Sequence, residues 1–522
     1  MRIRRWYLLS LFGLALAWAQ FRESGDPQLA AHLELATEPL VPARVYLFKD
    51  GRPFRLSPVQ AMLPLRVDLF YRERLWRASN DPDTLEVTHD GQSHFFLLKG
   101  RASFDLPAGH YRVEAYRGLL YTPAQAEFDL SAGETRRVAL TLQSWAGPEH
   151  DQWLSGDDHI HLTRSRDDDP VFLKWLRAED LSVANFLQLQ RQMDAAVQYA
   201  FGPAGQATDA RYSIRPGHES RSEFYGHVNL LGGRELIRPL SNGLMYANSR
   251  DTSMYPKRLF EMGRRAGALV GYAHFNGSTP HSTLLLDLAT NGVDFAEVFQ
   301  FGVLKTAEWY ELLNAGFHVT GIAGSDFPVP LSRSKTWPRW IPLLGPERTL
   351  VKTAPVPDPY TAWAAGVKAG NAIVTNGPLL DLRPEGNAVV ATAAFYRPLT
   401  RIEIVRNGAV IAAAEGDGRR TQLRVTAALP EGETGWTAAR VSATKLEGEP
   451  DIQAHTNPIY RMGSTAVPVP AARQALAARW KAELDWYRTG PLEFSSDAAR
   501  REFFDTCEKA LATLSSRGRA VP

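Results

Sequence analysis

Three segments in the middle of the chain share one grammar: a helix-like stretch, a glycine stop, a short apolar run and a polar residue at its end. In YPKRLFEMGRRAGALVGYAHF, Pro256 suits a first helical turn and Gly267 a C-terminal stop. Ala268 to Ala273 then reads as a buried strand with His274 at its C-terminal end. In TAEWYELLNAGFHVTGIAGSDF the stop is Gly316, and Asp326 lies just past the strand. In DPYTAWAAGVKAGNAIVTNGP the stop is Gly370, and Thr375 and Asn376 follow the strand. Between them, GVDFAEVFQFG supplies another apolar strand, with Glu297 in it. Alternating helices and short apolar strands predict βα units around a parallel sheet. Polar residues at strand C-termini are where an α/β barrel builds its site.

The flanks read differently. Residues from about 40 to 145 alternate as antiparallel strands, with a hairpin turn at Asp50-Gly51 and further turns at Pro107-Ala108-Gly109 and Ala132-Gly133; a small β-sandwich is expected. Residues 383 to 460 return to β character around an Asn407-Gly408 turn. Residues 470 to 515 carry two apolar helical stripes, Leu476, Trp480, Leu484 and Tyr487, then Phe503, Cys507 and Leu511. A chain of 522 residues is too long for one core. The expected organisation is a leader at 1–19, a β-sandwich at 20–147, an α/β region at 148–382, a C-terminal β domain at 383–462 and a helical tail at 463–522.

Composition excludes some classes. The 59 basic and 57 acidic residues leave a net charge of +2, with no basic run or aromatic-basic stripe, so nucleic acid is not an expected partner. The N-terminus, MRIRRWYLLSLFGLALAWAQ, has Arg2, Arg4 and Arg5, an apolar run and the small-residue pattern Ala17-Trp18-Ala19. It reads as a secretory signal peptide cleaved after Ala19, giving a periplasmic or extracellular protein. The rival reading is an uncleaved anchor, but the run is shorter than the roughly 20 residues of a membrane span. The single cysteine, Cys507, allows no intramolecular disulfide and sits at packing positions of a helix.

The chemistry concentrates in SGDDHIHLTRSRDDDP, Ser155 to Pro170. Asp157, His159 and His161 are spaced by two, so on a strand they share a face, and paired imidazoles make a metal clamp. Further candidates follow. RPGHESRSEFYGHVNLLG offers Glu219 and His227, with His218 and Glu223 as competitors, and His274 and Asp326 end their strands. Singly, each has an ordinary structural reading as a core histidine, turn residue or helix cap. Together, in one barrel-like region, they point to a metal.

The order of these motifs resembles the PHP superfamily of metal-dependent hydrolases. SGDDHIHL, RPGHESRSEFYGHVNLLG and GVKAGNAIVTNGPLLDL resemble blocks of its CehA/McbA-type, carbaryl-hydrolase-like branch. The similarity covers about residues 40 to 460 and is strongest from 150 to 382. It implies an α/β fold: a distorted (β/α)7 barrel flanked by an N-terminal β-sandwich and a C-terminal β-rich domain with terminal helices. It also implies that His159 and His161 bind one metal, that Glu219 bridges or binds a metal, that His227 and His274 serve a second, and that Asp326 closes the cluster. Asp326 and Glu219 are then the candidate catalytic carboxylates. Asp157 would orient an imidazole. Asp167 stands where many PHP proteins carry a further ligand, although Asp167, Asp168 and Asp169 are not separable here; Asp169, before Pro170, suits a helix N-cap. Two departures are visible: ANFLQLQRQ lacks the family's TDH, and no histidine follows Asp326. One or two divalent ions, Zn, Mn or Fe, are therefore expected rather than three.

The implied reaction is hydrolysis of a small ester, amide or carbamate, with Arg348 and Asn376 as candidate oxyanion stabilisers. A phosphoesterase is the alternative, since Arg333, Lys335, Arg339 and Arg348 follow Asp326. A third reading is a catalytically reduced protein that binds a cell-surface glycan or protein. No stable membrane span is expected, and the oligomeric state is open.

Overall fold

A computed structural model of the chain describes residues 30–54, 65–66, 84–89, 93–191, 194–276, 279–290, 292–329, 341–429, 435–460 and 470–516. The expected leader lies outside the described residues, as do Arg333, Lys335 and Arg339. The fold is mixed α/β, and the chain divides into two compact units. One comprises residues 1–65, 78–117 and 122–143; the other comprises 66–77, 118–121 and 144–522. No helix among the described residues is long and apolar enough to cross a membrane.

The first unit contains two facing layers of strands. Ala30–Glu38 alternates buried and half-buried positions and pairs antiparallel with Arg101–Pro107 and parallel with Thr135–Thr141. Ala43–Lys49 lies between Ser93–Leu98 and Gly109–Tyr116 in the second layer. Phe96 and Phe104, one from each layer, meet with ring centroids 5.3 Å apart. At the Asp50-Gly51 turn both residues have positive φ, 51° and 77°, as a two-residue hairpin turn between right-twisted strands requires.

The second unit is organised by a run of strand pairings. Trp153–Ile160 pairs in parallel with Val183–Arg191, which pairs in parallel with Tyr212–Ser222. Tyr212–Ser222 pairs antiparallel with Gly226–Leu231, and that strand pairs antiparallel with Leu269–Tyr272. Parallel pairing then resumes through Phe295–Gln300 to Thr320–Ala323. The segment that follows returns to the first strand, because Ile160 bridges Phe327 and His161 N donates to Phe327 O at 2.7 Å.

The sheet is therefore not all parallel, as the repeating grammar led one to expect. Ser222 pairs with Gly226 across a tight turn. A connection that short can only reverse the chain, whereas a parallel neighbour needs a crossover of a dozen or so residues. The third helix–strand segment also departs. Its strand, Ala372–Thr375, runs antiparallel to both Arg348–Lys352 and Ile452–Thr456.

The helices themselves form as their sequences dictate. Pro256–Arg265, Thr306–Asn314 and Pro359–Lys368 are each followed by a glycine at positive φ: Gly267 at 82°, Gly316 at 84° and Gly370 at 72°. That left-handed residue ends the helix and turns the chain back to the sheet. Gly156 lets one helix lie close, since a Cβ there would come 2.4 Å from the Trp363 ring.

Beyond residue 378, Leu379–Glu385, Ala388–Ala394 and Gln422–Ala428 form one sheet. Leu399–Arg406 and Ala409–Glu415 form a hairpin through Asn407 and Gly408, at φ 48° and 88°. The helices Pro470–Thr489 and Asp497–Ser515 do not hang free. Trp480, Leu484, Tyr487, Phe503 and Cys507 join one apolar core with Phe224, Tyr225 and Tyr255, and the Tyr487 hydroxyl donates to Phe224 O at 2.8 Å.

Candidate metal centre

His159 lies near the end of the Trp153–Ile160 strand and His161 just beyond it. The register with the neighbouring strand shifts between Asp157 and Ile160. The two imidazoles converge, with their Nε2 atoms 3.0 Å apart. Each ring is fixed from behind. His161 Nδ1 lies 3.1 Å from Leu187 O, His159 Nδ1 lies 3.2 and 3.3 Å from the two Glu297 oxygens, and His274 Nδ1 lies 2.7 Å from Gln300 Oε1. These oxygens accept, so each Nδ1 carries the proton and each neutral ring turns an Nε2 lone pair inward.

Glu219, on the Tyr212–Ser222 strand, sits among these rings. Its Oε2 is 3.2 Å from His161 Nε2, and its Oε1 is 3.9 Å from His159 Nε2, 3.5 Å from His274 Nε2 and 3.1 Å from His227 Nδ1. Asp326 Oδ1 lies 3.6 Å from His159 Nε2 and 3.4 Å from His161 Nε2, and its Oδ2 lies 4.0 Å from His274 Nε2. Three overlapping groups result: His159, His161 and Glu219; His159, His274 and Asp326; and Glu219, His227 and His274.

All six residues are buried. Glu219 Oε1, Asp326 Oδ1 and both His227 ring nitrogens have no hydrogen-bond partner among the described residues. Buried polar atoms are rarely left so. A divalent cation satisfies carboxylate oxygens and imidazole lone pairs together, and this N/O donor set suits Zn, Mn or Fe. The residues fit a metal, and the overlap allows one ion or two with Glu219 shared.

The electrostatics agree. Burial pushes against ionisation of Glu219, but Arg221 and the facing imidazoles outweigh it and hold the carboxyl well below its usual range. Arg221 Nε donates to Glu219 Oε2 at 2.7 Å. His159 is buried, which disfavours its charged form, yet the Glu297 and Asp326 carboxylates raise its pKa well above the ordinary value. Without a cation, a proton at His159 relieves the two facing lone pairs. Burial lowers the pKa of His161, and it lowers that of His227 to about 4.

His274 and Asp326 share a backbone feature. Both are non-glycine residues at positive φ, 56° and 50°. Such conformations cost on the order of 1 kcal/mol each and persist where surrounding contacts impose them. Here Glu297 Oε2 accepts from His274 N at 2.7 Å, and Lys305 Nζ donates to His274 O at 2.7 Å. Phe327 N donates to His159 O at 3.2 Å beside Asp326.

The remaining candidates lie elsewhere. Asp167 is exposed, in the 3₁₀ turn Arg166–Asp168, and belongs to none of the three groups. The turn is closed by Asp168, whose Oδ2 accepts from Ser165 N at 2.6 Å, and this leaves Asp167 on its outer side. Asp169 is not a cap. It pairs with Arg164 at 2.9 Å and accepts from the Tyr199 hydroxyl at 2.8 Å. Asp157 holds main chain rather than an imidazole, accepting from His159 N and Ser325 N at 3.0 Å and from Gly345 N at 2.9 Å. Arg348 does not face the centre but donates to Gly345 O and Asp180 O. Asn376 clips two strands, donating to Asp451 O and accepting from Gln453 N, both at 2.8 Å. Of the competitors, His218 is buried beside Phe201 on the other face of its strand from Glu219, and Glu223 accepts from Leu244 N and Met245 N.

Two residues of the centre are missing from the sequence-based set. Glu297 braces His159 and His274 together, and Arg221 keeps Glu219 ionised. Arg221 shares the strand face of Glu219 by the same two-residue spacing that groups His159 with His161, so that spacing could have found it.

No family model matches the chain, and no curated protein matches it. Among solved structures it is similar to the lesion-specific endonuclease PfuEndoQ from Pyrococcus furiosus, at 13% identity over 42% of this chain and 56% of that one, with a TM-score of 0.27. It is also similar to Endonuclease Q in complex with a 27-mer duplex bearing an abasic lesion, at 14% identity over 41% and 57%, with a TM-score of 0.26. The chain spans a little over half the length of these structures. Likenesses this weak carry no argument, and the reading of the centre rests on its own geometry.

Proposed function

We propose that this chain is an exported metal-dependent hydrolase of the PHP superfamily, of the CehA/McbA type, acting on a small ester, amide or carbamate. The observation that carries the reading is the convergence of four buried imidazoles and two buried carboxylates, among which Glu219 Oε1, Asp326 Oδ1 and both His227 ring nitrogens have no hydrogen-bond partner among the described residues. His159, His161, Glu219 and Asp326 would hold one ion, and Glu219, His227 and His274 a second. A divalent ion there lowers the pKa of a water toward ~7 and polarises the scissile bond.

The chain's own groups divide the remaining work. Glu219 stays ionised beside Arg221, which suits a bridging ligand and not a proton carrier. Asp326 turns Oδ1 to His159 and His161, and Oδ2 is its less crowded oxygen. We assign Asp326 Oδ2 to accept the proton of the attacking water and return it to the leaving group. Glu297, Leu187 O and Gln300 keep three rings in one tautomer through the cycle. The near-neutral charge supports a small-molecule substrate over nucleic acid, and Arg348, one of four cations that suggest a phosphoryl centre, is bonded to main-chain carbonyls.

Elemental analysis of the purified chain beside the His159→Ala/His161→Ala variant is the test. One or two equivalents of Zn, Mn or Fe in the parent, little in the variant, and metal-dependent cleavage of 4-nitrophenyl acetate are expected. No metal in either sinks the proposal, and metal without cleavage of esters, amides or carbamates leaves a binding protein. Mass spectrometry of the exported chain checks for an N-terminus after Ala19.

A further inference from the structure

Beside the centre lies a cavity of about 480 Å³, lined among others by Gln190, Arg238, Leu240, Ser241 and Tyr246. That volume falls within the ~300–1,000 Å³ of small-molecule pockets. Its wall continues from the metal-bearing strand. Leu240 O accepts from Arg221 N and Pro239 O from the Ser220 hydroxyl, both at 3.0 Å, directly after Glu219. At the inner end the Tyr246 ring stands edge-on to the His227 imidazole, with centroids 5.1 Å apart.

Among the described residues the lining has one charge. Among the described residues Arg238 is exposed and makes no ion pair or hydrogen bond, and no acidic side chain lines the cavity. Most other charged groups around the centre are committed: Arg221 to Glu219, Glu223 to two backbone N–H groups, Arg348 to carbonyls. Next to the cavity, on the short helix Leu244–Ala247, Met245 is 62% and Leu244 42% exposed. Glu223 fixes that helix, so its apolar side chains are presented by a held backbone.

A polar end, an aromatic wall and an apolar lip next to the candidate metal centre describe one kind of ligand. We propose that Arg238 takes a carboxylate of the substrate, whose apolar body lies against Tyr246 and Met245 and whose scissile carbonyl reaches the metal ligands. The substrate class is thus a small monoanionic ester or amide carrying one carboxylate a few bonds from the reacting centre. A guanidinium pairs with a carboxylate in a two-pronged fork, whereas a phosphate dianion calls for several cations and the described lining supplies one. Arg238 is then a specificity-determining residue. The inference rests on the hydrolase reading for the word substrate, but the pocket's preference is measurable without turnover.

The test is calorimetric binding of hippurate, an aromatic amide with one carboxylate, and of its neutral methyl ester, to the metal-loaded protein and to Arg238→Ala and Arg238→Lys. One charge-assisted contact at a partly exposed site is worth about tenfold in affinity. Hippurate is expected to bind about tenfold tighter than methyl hippurate, the ratio to fall to near one in Arg238→Ala, and to be intermediate in Arg238→Lys. Equal binding of the two ligands to the parent, or a ratio unchanged in Arg238→Ala, overturns the inference; so does phenyl phosphate binding tighter than hippurate. Selective hippurate binding without hydrolysis of any ester or amide removes the hydrolase reading and leaves the carboxylate site standing.

Discussion

Glu297→Gln separates bracing from ligation, because Glu297 reaches the centre only through its neighbours. Its two oxygens face the His159 Nδ1–H, the His274 backbone N–H and the Gln300 amide. Glutamine keeps the shape but offers one accepting oxygen, so a donor must face its NH2 group. Losing a carboxylate behind a ligating histidine typically costs 10- to 100-fold in metal affinity, about 1.4–2.8 kcal/mol. The charge has a second effect of opposite sign. For His159, burial favours the neutral ring, and Glu297 leads the groups that overcome it and raise its pKa. Without Glu297 that pKa falls, so the proton that competes with the cation is lost at lower pH. Zinc titration against a chromophoric chelator across a pH series should show a weaker alkaline plateau and an acid limb displaced to lower pH. An unchanged plateau and an unchanged acid limb would refute the bracing role, and circular dichroism checks that the fold is intact.

Further outcomes follow from other contacts. His159→Ala/His161→Ala should lose the metal-induced rise in melting temperature, which for the parent at a thousandfold excess over Kd corresponds to ~4 kcal/mol; an undiminished rise would place the metal elsewhere. Asp167→Ala should leave metal stoichiometry unchanged by elemental analysis, and a lost equivalent would make Asp167 a ligand after all. Asp157→Asn keeps one acceptor for three backbone N–H groups and should cost about 2–4 kcal/mol in denaturant unfolding; a loss below about 1 kcal/mol would contradict its role. Burial raises the Asp287 carboxyl from 3.8 to about 7, so its penalty is absent below pH 3.8, grows as pH rises and is complete above about 7. Asp287→Asn, still able to accept from the Tyr272 hydroxyl, should therefore gain stability relative to the parent over that window, by up to ~4 kcal/mol. A difference that is flat with pH would be evidence against the shift.

How far the sequence carries depends on whether a residue's surroundings are local. The helix stops at Gly267, Gly316 and Gly370 are local, since a left-handed residue ends a helix whatever lies around it, and they are readable. The spacing of His159 and His161 is equally local. Sheet direction is less so. The reversal at Ser222–Gly226 turns on a three-residue connection inside the stretch quoted for its Glu and His. Glu297 hides because its strand, Phe295–Gln300, is buried on both faces, so no alternation marks which side chain faces the centre. Arg348 and Asn376 are chemically suited to an oxyanion, yet one is drawn to carbonyls and the other to a neighbouring strand. Asp158 shows the same blindness. It lies on the opposite strand face from Asp157 and His159, where spacing assigns it no role, yet it is fully buried, and burial followed by Glu297 raises its pKa well above the usual carboxylate range.

The helices Pro470–Thr489 and Asp497–Ser515 also set an order of events. Tyr487 bonds to Phe224 across 263 positions of sequence, and Thr252 N meets Glu493 O across 241. A ribosome releases the strand bearing Glu219 long before the segment that seals its far side. During synthesis Phe224, Tyr225 and Tyr255 wait without their covering side chains, and contacts of such long loop length form slowly. A nascent chain stopped before residue 470 should therefore carry every proposed metal ligand and still expose an aromatic face that chaperones and proteases recognise.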